Sequence, residues 1–174
     1  MTSLPLSEKL LEFEDSDLGS NHLNNASKEN TIVDLFDAQV SKRPNAIAVS
    51  LDNQQLSFFG LQRRSNAIAQ YLHERGVKED QIIGVCVERS IDNLALIFAI
   101  WRIGAAYVAF DTKLPQKRKE QLILESDIAF LITHKNLKEQ FVYHNELSLS
   151  FIDSDEFKCL SEEWDLKKAI SLNP

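Results

Sequence analysis

At 174 residues the chain is long enough for one domain, or for a piece of a larger one. Its 44% hydrophobic and 26% charged content suits a globular protein able to bury a core. A formal net charge of −7 excludes a general nucleic-acid or anionic-membrane binder, whose affinity would come from basic residues.

Residues 1–30 carry one short amphipathic patch, Leu6, Leu10 and Leu11, and then a polar stretch that reads as a linker. Glu8, Lys9, Glu12, Glu14 and Asp15 break up any secretory signal. A helix is expected from Thr31, with Ile32, Leu35, Phe36 and Val40 on one face and Arg43-Pro44 as its stop. Ala46 to Leu51 and Gln55 to Phe58 read as a hairpin turning at Asp52-Asn53. Leu61, Ile68 and Leu72 mark a helix that Gly76 ends.

Residues 81–111 form the organising stretch. Ile82 to Val87 is an apolar, β-branched run, as a strand buried on both faces would be. Ser90 is the expected N-cap of a helix with Ile91, Leu94, Ala95, Phe98 and Trp101 at helical spacing, widened by Ile97 and Ile100. Gly104 stands where a left-handed residue is wanted, and Ala105 to Phe110 reads as a second buried strand. Strand, helix and strand of these lengths predict a parallel βαβ unit. A charged helix is expected over Gln116 to Glu125, with Lys117-Arg118-Lys119 a solvated face. Ala129 to Thr133 and Leu147 to Asp153 read as further strands, with a helical turn from Asn136 to Phe141. The last twenty residues are mixed and acidic.

Several chemistries are missing from this pattern. Gly19, Gly60, Gly76, Gly84 and Gly104 are too far apart to cradle a phosphate. His22, His73, His134 and His144 are scattered, and none pairs with a cysteine at ligand spacing. Ser90 lacks the flanking glycines of a strained nucleophile elbow. Cys86 and Cys159 make no disulfide framework, and Cys86 sits in an apolar strand, a usage suited to a reducing cytoplasm. Leu94 to Phe110 falls short of the ~20 apolar residues of a membrane span and holds Arg102. Asp111 ends a parallel strand, where ligands gather in open α/β sheets, although a bond to the following turn is the simpler role.

Taken together, these stretches resemble the start of an adenylation domain of nonribosomal peptide synthetases, in the AMP-forming acyl- and amino-acid-activating superfamily. The resemblance runs over about residues 30–135. Residues 31–49 resemble the family's opening helix, proline turn and first strand. Gln55 to Leu61 resembles the first core motif, with Ser57 in its Ser/Thr place and Gly60 where the family has Glu. Glu88-Arg89-Ser90 follows the strand before the long helix, and Ile103-Gly104-Ala105-Ala106-Tyr107-Val108-Ala109-Phe110-Asp111, then Pro115 and Arg118, resembles the second core motif. Ala109 stands for that motif's Pro, and Trp101-Arg102-Ile103 for its usual Leu-Lys-Ala.

The resemblance implies an α/β fold, a mainly parallel sheet flanked by helices, forming the first part of the larger subdomain. It implies a linker over residues 1–30 and a partial adenylation domain over 31–174. It places Ser57, Glu88, Arg89, Ser90, Gly104, Tyr107, Asp111, Pro115 and Arg118 as framework positions, with no catalytic, nucleotide-binding or metal-binding residue among them. The family's phosphate loop, amino-acid pocket and catalytic lysine are expected beyond Pro174. ATP and magnesium are therefore implied for the complete domain and for no residue here, and the chain is expected to be catalytically incompetent alone. The implied partners are the remainder of an adenylation domain or a neighbouring condensation domain. An alternative is a non-catalytic interaction module, a homodimer included, that covers an apolar face near Phe98, Trp101 and Phe130 or an open edge at Phe151-Ile152. An unrelated α/β binding protein is the third reading.

Overall fold

The computed structural model describes residues 31–141 and 147–157. The expected linker over 1–30, His22, His144, Cys159 and the acidic last stretch lie outside them.

Helix α1 (Ile32–Lys42) leads into a hairpin of β1 (Ile47–Leu51) and β2 (Gln54–Ser57). Asp52 makes the turn at φ 51°, a left-handed conformation that Asp tolerates. Helix α2 (Phe58–Glu74) follows with no intervening loop. Ser57 allows this, because its Oγ accepts the Gly60 N–H at 3.1 Å and caps the helix.

The remaining elements alternate. They are β3 (Ile82–Cys86), α3 (Ile91–Arg102), β4 (Ala106–Ala109), α4 (Gln116–Ser126), β5 (Phe130–Thr133), a 3-10 helix (Lys135–Gln140) and β6 (Ser148–Phe151). The four strands form one sheet in the order β4-β3-β5-β6, and every pairing is parallel. The α/β architecture expected from the sequence is present.

Strand alternation divides the core in two. Ile83, Val85, Phe130 and Ile132 pack with Ile68 and Leu72 of α2, and with Ala95, Leu96, Ala99 and Ile100 of α3. Cys86 and Leu131 face the other way, against Ile123 of α4, Phe110, Ile128 and Phe141. The sheet is thus a middle layer with α1 to α3 on one side and α4 with the 3-10 helix on the other. Gly84 belongs to the second face. A Cβ there would stand 2.5 Å from Leu131 Cδ1 and 2.6 Å from Ile128 Cδ1.

Four expectations need correction. Ala105 to Phe110 is not a fully buried strand: β4 lies at the edge of the sheet, and Ala106 and Ala109 are exposed. A sequence gives a strand's apolar content but not its place in the strand order. On α1 only Phe36 and Val40 are buried, whereas Ile32 and Leu35 are 58% and 55% exposed, so half of the stripe has no cover among the described residues. Lys119, expected in solvent, is 1% exposed. The expected apolar face loses Phe130, while Phe98 and Trp101 stay partly exposed in an aromatic row, Phe36 to Phe98 at 4.3 Å, Phe98 to Trp101 at 5.7 Å and Trp101 to Tyr107 at 6.2 Å. Phe130 is buried in the core behind that row.

Candidate functional site

In a parallel sheet the loops that follow the strands gather at one end. Here β3 leads outwards to β4 and β5 leads the other way to β6, so the connections diverge between β3 and β5. Ligands in open α/β sheets bind at such a divergence.

The residues at this end mostly bond to one another. His134 Nε2 accepts the Glu88 N–H at 3.1 Å, joining the two loops across the divergence. Thr133 Oγ1 donates to the Cys86 carbonyl at 2.9 Å. The Lys135 N–H reaches Asp153 Oδ1 at 2.9 Å, tying the loop after β5 to the loop after β6. Asp111, after β4, accepts the Lys113 N–H at 2.8 Å, which is the turn role weighed above. Lys119 inserts beneath that turn, where its Nζ donates to the Thr112 carbonyl at 2.8 Å and to Gln140 Oε1. Cys86 is fully buried, and burial pushes its thiol pKa up, so it offers no reactive thiolate.

The framework residues divide by place. Glu88, Arg89, Ser90, Asp111, Pro115 and Arg118 follow β3 or β4 at the carboxyl end of the sheet. Ser90 caps α3, its Oγ accepting the Asn93 N–H at 3.1 Å. Pro115 opens α4, and Arg118 approaches Glu125 at 3.9 Å. The others sit elsewhere. Ser57 caps α2, Gly104 makes the turn into β4 at φ 72°, and Tyr107 lies within β4 against the aromatic row.

One concavity adjoins this end. A groove of about 290 Å³ runs between β1 and the first turns of α3, lined by Val49, Leu51, Leu94 and Ile97 with Arg89 and Asn93 among its polar members. Arg89 is exposed and has no ion-pair partner among the described residues. Asn93 Oδ1 is buried without a hydrogen-bond partner.

Sequence reasoning missed three features. Lys119 lies four residues before Ile123, on the buried face of α4, and that spacing was its signal. Arg102 binds Asp37 with both terminal nitrogens and donates from Nε to Ser65 Oγ at 3.2 Å, clamping α1, α2 and α3 together. No local pattern announces a bond across 65 residues. The same is true of His134 and Glu88.

A family model described as "AMP-binding enzyme" matches residues 36–170. The chain belongs to the AMP-binding enzyme family. Gramicidin S synthase 1 of Brevibacillus brevis is 36% identical to this chain over 110 residues, covering 63% of it and 10% of the synthase. The nonribosomal peptide synthetase FmoA3, in a form bound to alpha-methyl-L-serine-AMP, superposes with a TM-score of 0.64 at 26% identity, over 71% of this chain and 14% of that one. VinN, at 17% identity, shares the fold with a TM-score of 0.72 over 79% of this chain and 38% of its own. These matches bear out the resemblance to the amino-terminal part of an adenylation domain. The chain spans about a tenth of the length of Gramicidin S synthase 1.

Proposed function

We propose that this chain is a scaffold portion of an ATP-dependent, amino-acid-activating adenylation domain, and that it does not turn over by itself. The reading is supported by similarity to synthetases, one of which binds an aminoacyl adenylate. The observation that carries it is the carboxyl end of the sheet, where the loop groups are already engaged with each other. Glu88 N–H is held by His134 and Lys135 N–H by Asp153. Adenylate formation needs fixed positive or N–H groups to stabilise the phosphorus centre and departing pyrophosphate. Among the described residues, no group of three or more acidic, His or Cys side chains is placed to hold a metal ion. ATP and magnesium belong, in this reading, to the complete domain, and no step is assigned to the described residues. The groups for that chemistry belong to other sequence, from the remainder of an adenylation domain. No helix among the described residues is long and apolar enough to cross a membrane.

The purified chain is expected to give no ATP–pyrophosphate exchange with any of the twenty amino acids. Exchange above a no-enzyme blank would overturn the proposal.

A second reading, a non-catalytic interaction module, is favoured by one observation. Ile32 and Leu35 stand one turn apart on α1 and are both more than half exposed. A homodimer or a neighbouring condensation domain would cover them. Light scattering showing a monomer at high concentration would count against the homodimer.

A further inference from the structure

We propose that the outer edge of β4 is a self-pairing surface, through which two copies of this chain join antiparallel, about a two-fold axis at Val108, into one continuous sheet.

The backbone argues first. The Ala106 N–H donates to the Gln81 carbonyl at 2.9 Å and the Phe110 N–H to the Val85 carbonyl at 2.8 Å, both on the β3 side. In a parallel ladder every second residue turns its N–H and C=O to the same neighbour, so Ala106, Val108 and Phe110 face β3. Tyr107 and Ala109 therefore turn theirs to the open side of β4, where no strand pairs among the described residues. Such unpaired groups are a template for another strand, and edges are commonly blunted by proline or by charge. Strand β4 has neither. Ala109 stands where the resembled motif has Pro, which would remove one outward donor.

The partner that fits this edge is a second copy of the chain. Two outward residues flanking one inward residue make a pattern that is its own complement. With Val108 on the axis, Tyr107 of each protomer lies opposite the partner's Ala109, and each such pair exchanges two main-chain bonds. Every outward N–H and C=O of both strands is then used. Tyr107 meets a small residue, and the half-buried Val108 meets its own copy. Ala106 and Ala109 are exposed, so no bulky side chain of theirs bars the approach.

Charge agrees with this register. Glu79 stands beside Gly104, where an added Cβ would lie 2.8 Å from its Cγ, and Lys113 lies in the turn after β4. Both are exposed, and neither has an ion-pair partner among the described residues. The antiparallel register sets residue 104 opposite the partner's residue 112, which brings Glu79 towards the partner's Lys113 on both sides of the axis. This surface is separate from Ile32 and Leu35 of α1 and uses no nucleotide chemistry, so its failure leaves the proposed function untouched.

The test is sedimentation equilibrium of the purified chain from micromolar to millimolar concentration, with amide exchange followed by NMR at both ends of that range. A monomer–dimer equilibrium is expected. The Tyr107 and Ala109 amides should exchange slowly only at the high end, while those of Ala106 and Val108 stay protected throughout. Ala109→Pro is expected to weaken dimerisation about tenfold or more, since it removes one donor from each protomer's edge. It touches no bond to β3, and an unchanged thermal midpoint at micromolar concentration would show that it is folded. Lys113→Glu is expected to weaken dimerisation several-fold, and adding Glu79→Lys to it to restore the affinity. The proposal is overturned by a monomer throughout the range, or by a dimer whose Tyr107 and Ala109 amides exchange at the monomer's rate. It is equally overturned by Ala109→Pro associating as tightly as the native chain, or by a double charge variant no tighter than Lys113→Glu. A dimer lost with Leu35→Asp but kept with Ala109→Pro would place the contact on α1, which also overturns it.

Discussion

Lys119 shows how much a single side chain departs from its neighbours. Lys117 and Arg118 stay in solvent, while the Lys119 ammonium is held by the Thr112 carbonyl and Gln140 and lies 5.9 Å from the centre of the Phe141 ring. Replacing it with Met keeps the stem packing and strands two acceptors. Lys119→Met is expected to lower stability by about 1–3 kcal/mol, read by urea denaturation. A loss no larger than that of Lys117→Met would show that these bonds do not matter. Asp37 makes the complementary case. The hydrogen bond from Arg102 holds its carboxyl below the ordinary aspartate range, against the opposing effect of burial. A depressed carboxyl stabilises the fold above its unfolded pKa, and that contribution disappears as pH falls through the folded value. Stability should therefore begin to drop below about pH 4 and go on dropping below it. Asp37→Asn should remove this part of the slope and cost roughly 1 kcal/mol at neutral pH, a modest figure because the carboxylate is partly solvated. Urea titrations at several pH values distinguish the two chains, and identical slopes would contradict the assignment. Neither residue's role was legible as such. The sequence shows a basic run and an isolated acid, and only folding brings Gln140 and Arg102 to them.

Elements were far more legible than their surroundings. The β3-α3-β4 unit could be read because apolar content, a capping Ser and a stopping Gly agree over one continuous stretch. What could not be read was which neighbour each strand acquires, so β4 became an edge and the outer half of the α1 stripe stayed exposed. The start of α2 shows how far local rules reach. Ser57 caps it, but the family's Glu at the third helical position is Gly60 here, so half of the capping arrangement is gone. A Cβ at Gly60 would meet Leu56 Cδ2 and Ser57 Oγ at 3.4 Å, ordinary contact distances. Gly60→Glu should accordingly be accommodated. It should raise stability by about 1 kcal/mol, from lower unfolded-chain entropy and a negative charge in the first turn. The thermal midpoint is then expected to rise by several degrees, and a fall would mean that this helix start needs glycine for a reason outside its own geometry.

Stability across the whole molecule should follow the strand order. β3 and β5 each have a parallel neighbour on both sides and helices over both faces, and all four residues of β5 are buried. β4 and β6 have one neighbour each. Among the described residues the β1–β2 hairpin has no strand neighbour beyond its own pair, with Ile47 59% exposed at one end. Amides open locally at a cost set by how much packing must be lost, and the last to open define the global unfolding step. The Val85 and Ile132 amides should therefore exchange only on global unfolding. Hairpin amides such as Leu51, which closes the turn opposite Gln54, should open about 2 kcal/mol below that, close to thirtyfold faster. Amide exchange of the isolated chain decides the matter. Protection at Leu51 equal to that at Val85 would mean that the hairpin is held by more than its pairing with β2.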